Sequence, residues 1–173
     1  MVRKILFFTV FVGLPSFGQD AAEMIHKFNL IQELVPNCTT VGVIWDPKSN
    51  PALEAVFGEV SSATGLRVVK TPLENIRDLS GLIRQMTQYN ISFIYLHEDR
   101  LVSSKNVIKF VVKSTLDKKI PVFCQSEDVM TAGGYGELVN VGGSWKIRVN
   151  GNVKDQYDIA VPEGNDKFQV AFN

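Results

Sequence analysis

The chain has 173 residues, of which 45% are hydrophobic and 21% charged, and 18 Lys and Arg residues balance 18 Asp and Glu residues. This composition is typical of a globular domain with its own core, and it excludes a disordered chain. Because there is neither a basic excess nor an acidic tail, we expect no nucleic-acid partner.

The N-terminal segment has the layout of a secretory signal peptide. Arg3 and Lys4 precede an apolar run over residues 5–14, and Ser16 and Gly18 place small side chains just before a cleavage point after Gly18. A membrane anchor is the alternative, but the run is shorter than the roughly 18–20 residues that span a bilayer. We therefore expect export to the periplasm, with no stable membrane insertion after cleavage.

After this segment, helical and strand patterns alternate along the chain, as they do in α/β layer folds. Amphipathic helices are predicted at residues 22–34, 51–64, 77–88 and 107–116, and a short helix at 126–131. Short apolar runs predict strands at residues 41–45, 66–70, 91–96 and 120–123. Because crossovers between parallel strands are right-handed, we predict a doubly wound parallel sheet in the approximate order 2-1-3-4.

The C-terminal part of the chain has a different sequence pattern. Gly133-Gly134, Gly142-Gly143 and Gly151 separate short runs of alternating polarity, and Gly142-Gly143 before Ser144 is typical of a hairpin turn. We therefore predict a C-terminal antiparallel β appendage at the sheet edge. The predicted organisation is a signal peptide (1–18), an α/β lobe (19–132) and a β-rich C-terminal extension of the same domain (133–173).

The two cysteines are Cys38 and Cys124. The predicted layout puts Cys38 just before the first strand and Cys124 just after the fourth, at opposite ends of a parallel sheet. A disulfide needs Cα atoms within about 7 Å, so we expect two free, partly buried thiols.

Signatures of catalysis and of metal binding are absent from the sequence. There is no GxSxG elbow, no P-loop and no GxGxxG after a strand. His26 and His97 lie far apart, and neither has a cysteine or a second histidine at metal-ligand spacing. Glu98 and Asp99 are adjacent carboxylates, which on a loop are more often solvated than used as an acid/base pair. We expect no enzyme, no metal and no cofactor.

Three loops should meet where the parallel strands have their carboxyl ends, which we call the carboxyl edge of the sheet. Open α/β sheets bind ligands at this edge. The loop at residues 45–51 precedes a helix whose free amides can hold a carboxylate or phosphate. The loop at 97–104 offers Asp99 to a cationic group, and the third loop covers residues 124–128. The alternative is that their polar residues are helix caps and turns, Asp99 included.

Several segments in these regions resemble ABC-transporter substrate-binding proteins of the type that carries aromatic amino acids and related solutes. They are IQELVPN at 31–37, VGVIWDP at 41–47, IYLHEDRLVSS at 94–104, and IPVF with SED and AGG over 120–134. They occur in the family's order and separations, and the resemblance covers about residues 28–143.

The resemblance implies a periplasmic-binding-protein-like fold, an inner-membrane transporter as partner, and a small solute held at the strand-end loops. The matched loops contribute five expected ligand-facing residues: Asp46, Ser49, Asn50, Asp99 and Ser126. Such proteins clamp the ligand between two lobes, whereas this chain supplies a single lobe. The family has asparagine where Asp46 and Arg100 stand here.

The C-terminal part is also similar to a second family, on Gly133-Gly134 followed by WKIRVN at 145–150. These proteins are small periplasmic regulators that restrain inner-membrane signalling proteins by contact. Two hypotheses follow. The chain is either a solute-binding-like protein of an ABC transport system, or an interaction or sensory protein that regulates a membrane signalling or transport partner without tight solute binding.

Overall fold

The computed structural model describes residues 17–172, without the side chain of residue 17. The predicted signal peptide therefore lies outside the described residues except for its last two positions. In the part of the chain that is described, no helix is both long and apolar enough to cross a membrane.

Helices and strands alternate along these residues. The helices are α1 (Phe17–Leu34), α2 (Leu53–Thr64), α3 (Leu79–Met86), α4 (Lys105–Leu116) and α5 (Asp128–Thr131). The strands are β1 (Thr40–Trp45), β2 (Arg67–Pro72), β3 (Phe93–Leu96), β4 (Val122–Cys124), β5 (Gly136–Val141), β6 (Ser144–Asn150) and β7 (Phe168–Ala171). Short 3-10 turns occupy Ile76–Asp78 and Lys154–Gln156.

One sheet contains all of these strands, in the order β2-β1-β3-β4-β5-β6-β7. The first five strands in chain order are parallel, which confirms the predicted doubly wound α/β fold and the order 2-1-3-4. The C-terminal extension is antiparallel at the β5–β6 hairpin, whose turn glycines Gly142 and Gly143 have φ angles of 60° and 86°. The prediction of an antiparallel appendage is wrong for β7, which runs parallel to β6 because residues 151–167 return the chain to the other end of the sheet.

The sheet separates two hydrophobic cores. The core on one face holds side chains of α1 and α2, with Val43, Tyr95 and Phe123 from the sheet. The core on the other face holds side chains of α3, α4 and α5, with Ile44 and Leu96 from the sheet. Because both faces are covered, β1, β3 and β4 are buried at every residue, and this explains their nearly unbroken apolar sequences.

The C-terminal extension shares the core that α1 and α2 build. Ile147 and Val149 of β6 belong to that core, and Tyr157 packs edge-on to Tyr135 with ring centroids 5.0 Å apart. Asn150, at the end of β6, is 1% exposed and donates hydrogen bonds to the carbonyl oxygens of Met130 and Gly134. The extension is thus tied to the lobe by both apolar and polar contacts.

The two cysteines lie on different faces of the sheet. Cys38 precedes β1, is half-buried and packs against the core of α1 and α2. Cys124 is the last residue of β4 and is buried in the opposite core.

Candidate functional site

A cavity of about 300 Å³ lies at the carboxyl edge of the sheet, between the first turns of α1 and the N-terminus of α2. Its apolar wall is formed by Met24, Leu53 and Val56 together with Pro51 and Ala52. Its polar lining comes from α1, from the loop after β1 and from the residue after β3: Asp20, Glu23, Lys27, Ser49, Asn50 and His97. The cavity therefore combines charged and apolar surfaces at the edge where the sequence predicts a ligand.

Two of the predicted site residues, Ser49 and Asn50, line this cavity. Asp46 lies just behind them and is 8% exposed. Its carboxylate accepts hydrogen bonds from the Ser49 hydroxyl at 2.7 Å and from the Lys48 backbone N–H at 2.9 Å, and its carbonyl accepts one from the Asn50 N–H. The bond from the Ser49 hydroxyl is the main cause that lowers the pKa of Asp46. Asp46 thus shapes the loop that presents Ser49 and Asn50.

Asp99, also 8% exposed, uses its carboxylate to hold backbone groups. One oxygen accepts N–H groups of Leu101 at 3.0 Å and Val102 at 2.7 Å, and the other accepts the N–H of Asp46 at 2.7 Å. These bonds fit the alternative that Asp99 caps the turn after β3. Contact between Asp99 and a ligand stays a prediction.

Ser126 lies apart from the cavity lining, in the turn between β4 and α5. Its hydroxyl oxygen accepts the N–H of Asp128 at 3.3 Å, and its carbonyl accepts the N–H of Val129. The structure thus places Ser49 and Asn50 at the cavity, with Asp46 and Asp99 supporting their loop, and leaves Ser126 as a turn residue.

The sequence analysis missed a charged cluster on α1. Lys27 is 3% exposed; its ammonium pairs with Glu23 one turn earlier and donates to Gln125 Oε1 at 2.6 Å. Burial is the main cause that lowers the pKa of Lys27, and the hydrogen bond with Glu23 opposes that effect. A signal was present, because Lys27 interrupts the apolar stripe of α1 between Met24 and Ile31.

Gln125 links this cluster to the strand ends. Its Oε1 also accepts the Tyr95 hydroxyl at 2.9 Å, and its Nε2 donates to Glu98 Oε2 at 3.2 Å. Since one end of the amide faces two donors and the other faces a carboxylate, its orientation is fixed. α1, the end of β3 and the loop after β4 are therefore joined by one polar network at this edge.

His97 lines the cavity, and its ring nitrogen Nδ1 is buried without a hydrogen-bond partner among the described residues. Burial is the main cause that lowers the pKa of His97, so the imidazole is neutral at pH 7 and can accept or donate one hydrogen bond. Within residues 17–172, no group of three His, Cys, Asp or Glu side chains could hold a metal ion.

Comparison with known proteins identifies the family of this chain. The model of the ABC transporter substrate binding protein family matches residues 13–142. Among curated proteins, no sequence matches the chain at a significant level.

Solved structures share the fold. A conserved domain protein from Vibrio cholerae has a TM-score of 0.68 and 17% identity over 80% of this chain and 56% of its own. A substrate binding protein with adhesive properties from Clostridium difficile, solved ligand-free and open, has a TM-score of 0.68 and 16% identity over 84% of this chain and 58% of its own. An ABC domain from Streptococcus pneumonia, solved in complex with L-Trp, has a TM-score of 0.65 and 18% identity over 83% of this chain and 57% of its own.

This chain spans a little over half the length of these three structures. The similarity in fold agrees with the family match, which covers residues 13–142 of 173. The chain therefore belongs to the ABC transporter substrate binding protein family.

Proposed function

We propose that this chain is an exported, non-enzymatic protein that holds a small solute in the cavity at the carboxyl edge and works with an inner-membrane ABC transporter. The cavity is the observation that carries the proposal, because it joins an apolar wall to the carboxylate side chains of Asp20 and Glu23. Its volume of about 300 Å³ is at the low end for ligand sites, which favours a molecule of amino-acid size.

The polar lining favours a solute with a positively charged group. Asp20 and Glu23 offer carboxylates, whereas the Lys27 ammonium is already engaged by Glu23 and Gln125. Asn50, next to the start of α2, offers an amide to a polar or anionic group of the same solute. Since the Streptococcus pneumonia structure was solved with L-Trp, amino acids are the first solutes to test.

The test is a thermal melt of the purified protein with a panel of amino acids and nucleoside-like solutes at millimolar concentration. A solute present at a hundred times its dissociation constant stabilises the folded state by about 2.7 kcal/mol and raises the melting temperature by several degrees. Asn50→Ala should reduce that rise, and Ser114→Ala, on the exposed face of α4, should leave it unchanged. An unchanged melting temperature with every solute in the panel would contradict solute binding.

Export is a separate part of the proposal, and it is supported by the predicted signal peptide. Expression of the full chain in a bacterium with a periplasm should yield a mature protein that begins at Gln19. Mass spectrometry of the periplasmic fraction measures this, and recovery of only the uncut chain from the cytoplasm would contradict it.

The alternative function is regulation of a membrane signalling or transport partner without tight solute binding. It is favoured by the C-terminal residues 143–173, which lie beyond the family match and follow a single lobe. The identity of the neighbouring genes distinguishes the two functions. A permease and an ATPase favour transport, and a sensor kinase or cyclase favours regulation.

A further inference from the structure

Trp145 lies outside the residues that match the family, yet it contacts Lys27, a residue that lines the candidate site. It is the second residue of β6, which runs antiparallel to β5, so the start of β6 lies at the carboxyl edge of the parallel strands. There its ring lies against the Lys27 ammonium, 4.2 Å from the ring centroid. We propose that Trp145 is a positioning residue of the cavity, which holds Lys27 and, through Lys27, the Glu23 carboxylate that the solute meets.

The contacts of Lys27 explain why the indole ring is needed. An ammonium has three N–H groups. Glu23 and Gln125 each accept one, and the ring face of Trp145 is the third neighbour. A buried ammonium that lacks partners is unfavourable, and the electron-rich face of tryptophan stabilises a cation within about 6 Å. The ring therefore completes the surroundings of a cation that is 3% exposed.

Glu23 is the member of this cluster that a solute can reach. Its side chain is 46% exposed and lines the cavity, whereas Lys27 is engaged on all sides. If the ring were lost, water would reach Lys27, and the ammonium would no longer hold Glu23 in one orientation. The use of Glu23 by a solute with a positive group rests on the function proposed above, but the arrangement of the three side chains does not.

The first experiment measures the reactivity of Lys27 with acetic anhydride in the full chain, quantified by mass spectrometry against exposed Lys113 in the same sample. Trp145→Phe keeps an aromatic face and should retain the slow reaction of the wild type. Trp145→Leu removes the ring and should speed acetylation of Lys27 about tenfold. Equal protection of Lys27 in the Phe and Leu variants would overturn the proposal, because apolar packing without an aromatic ring would then be enough to shield Lys27 from acetylation.

A second measurement uses the tryptophan itself and covers the case in which Trp145→Leu does not fold. Lys27→Met keeps an unbranched apolar chain but removes the ammonium. The indole N–H resonance of Trp145 should shift in this variant, while that of Trp45 should not. An unchanged Trp145 resonance would overturn the proposal.

Neither measurement needs a solute, so the two proposals can fail separately. If no solute changes the melting temperature, but Lys27 is acetylated slowly only when residue 145 is aromatic, solute binding is contradicted and the role of Trp145 is supported. A bound solute whose melting shift is the same in wild type, Trp145→Phe and Trp145→Leu would support binding and contradict the positioning of Glu23.

Discussion

The carboxylate of Asp99 accepts the backbone N–H of Asp46 at 2.7 Å, and this bond joins the loop after β3 to the loop after β1. The other Asp99 oxygen holds two N–H groups of its own turn. Since the Asp46 carboxylate in turn accepts the Ser49 hydroxyl, a chain of hydrogen bonds runs from β3 to a residue that lines the cavity. The loop that presents Ser49 and Asn50 is therefore held in position by hydrogen bonds within the protein.

Asp99→Asn should lower the free energy of unfolding by about 1–3 kcal/mol. The amide NH₂ would face a backbone N–H at one of the positions where Asp99 now has an oxygen, which leaves a buried donor unsatisfied. Urea denaturation followed by circular dichroism measures the change. Asp117→Asn, at the exposed end of α4, is the control and should stay within about 0.5 kcal/mol. A variant as stable as the wild type would contradict this structural role of Asp99.

The sequence predicted the strand order because each strand is a short apolar run followed by a helix, and right-handed crossovers leave few arrangements. The parallel course of β7 could not be predicted in this way. It depends on how residues 151–167 pack, and that stretch has no regular apolar period. Local hydrophobic patterns thus predicted the layers and the parallel strands, including edge strand β2, but not the direction of β7.

The candidate site was predicted only in part for a similar reason. Ser49 and Asn50 follow a strand directly, so their position at the carboxyl edge could be inferred. The partnership of Lys27 with Gln125 joins residues 98 positions apart, which no local pattern reveals. The carboxylates of Asp46 and Asp99 are suited both to a ligand contact and to a turn. The backbone groups that they hold depend on tertiary structure, which the sequence does not show.

His97 should make stability fall as the solution becomes acidic. Burial lowers its pKa below 6.5, so the unfolded chain takes up this proton at a higher pH than the folded chain does. Its contribution to stability is therefore present above about pH 6.5 and is lost as the pH falls through the folded pKa. Asp99, Asp20 and Glu23 oppose the lowering, and Lys27 adds to it.

Urea midpoints measured from about pH 8 to about pH 5 test this. Stability of the wild type should decline more steeply below pH 6.5 than stability of His97→Gln. His26→Gln changes an exposed residue of α1 and should follow the wild type. Parallel curves for the wild type and His97→Gln would contradict the prediction.

The two thiols should react slowly with Ellman's reagent in the folded protein. Burial raises the pKa of Cys38 and of Cys124 to about 11, so at pH 8 each holds roughly a hundredfold less thiolate than an ordinary cysteine. Half-buried Cys38 should react before buried Cys124, and urea should release both. The single variants Cys38→Ala and Cys124→Ala assign the two phases.

The same thiols test the topology. Cys38 precedes β1 and Cys124 ends β4, in cores on opposite faces of the sheet. Both should therefore remain free after purification under oxidising conditions. A mapped bridge between them within one chain would contradict the sheet order.

Asn150→Ala should destabilise the protein by about 1–3 kcal/mol, because it removes a buried side chain that satisfies two carbonyl groups. The Asn150 amide is 1% exposed and donates to Met130 O at 2.9 Å and to Gly134 O at 3.0 Å. Its own oxygen accepts the N–H of Asn152 at 3.1 Å. The side chain thus ties β6 to α5 and to the turn before β5. Asn29→Ala, on an exposed position of α1, is the control for loss of an amide at the surface.

Asn150→Asp distinguishes hydrogen bonding from packing at the same site. At neutral pH the carboxylate would face two carbonyl oxygens, so the variant should be less stable than Asn150→Ala. Burial and the facing oxygens should raise the pKa of the introduced carboxyl above about 4, and protonation restores one donor. The stability of the Asp variant should therefore recover relative to that of the Ala variant as the pH falls from about 7 to about 4. Urea denaturation at both pH values measures the difference. If the gap between the two variants were independent of pH, the Asn150 amide would not be the donor to these carbonyl groups.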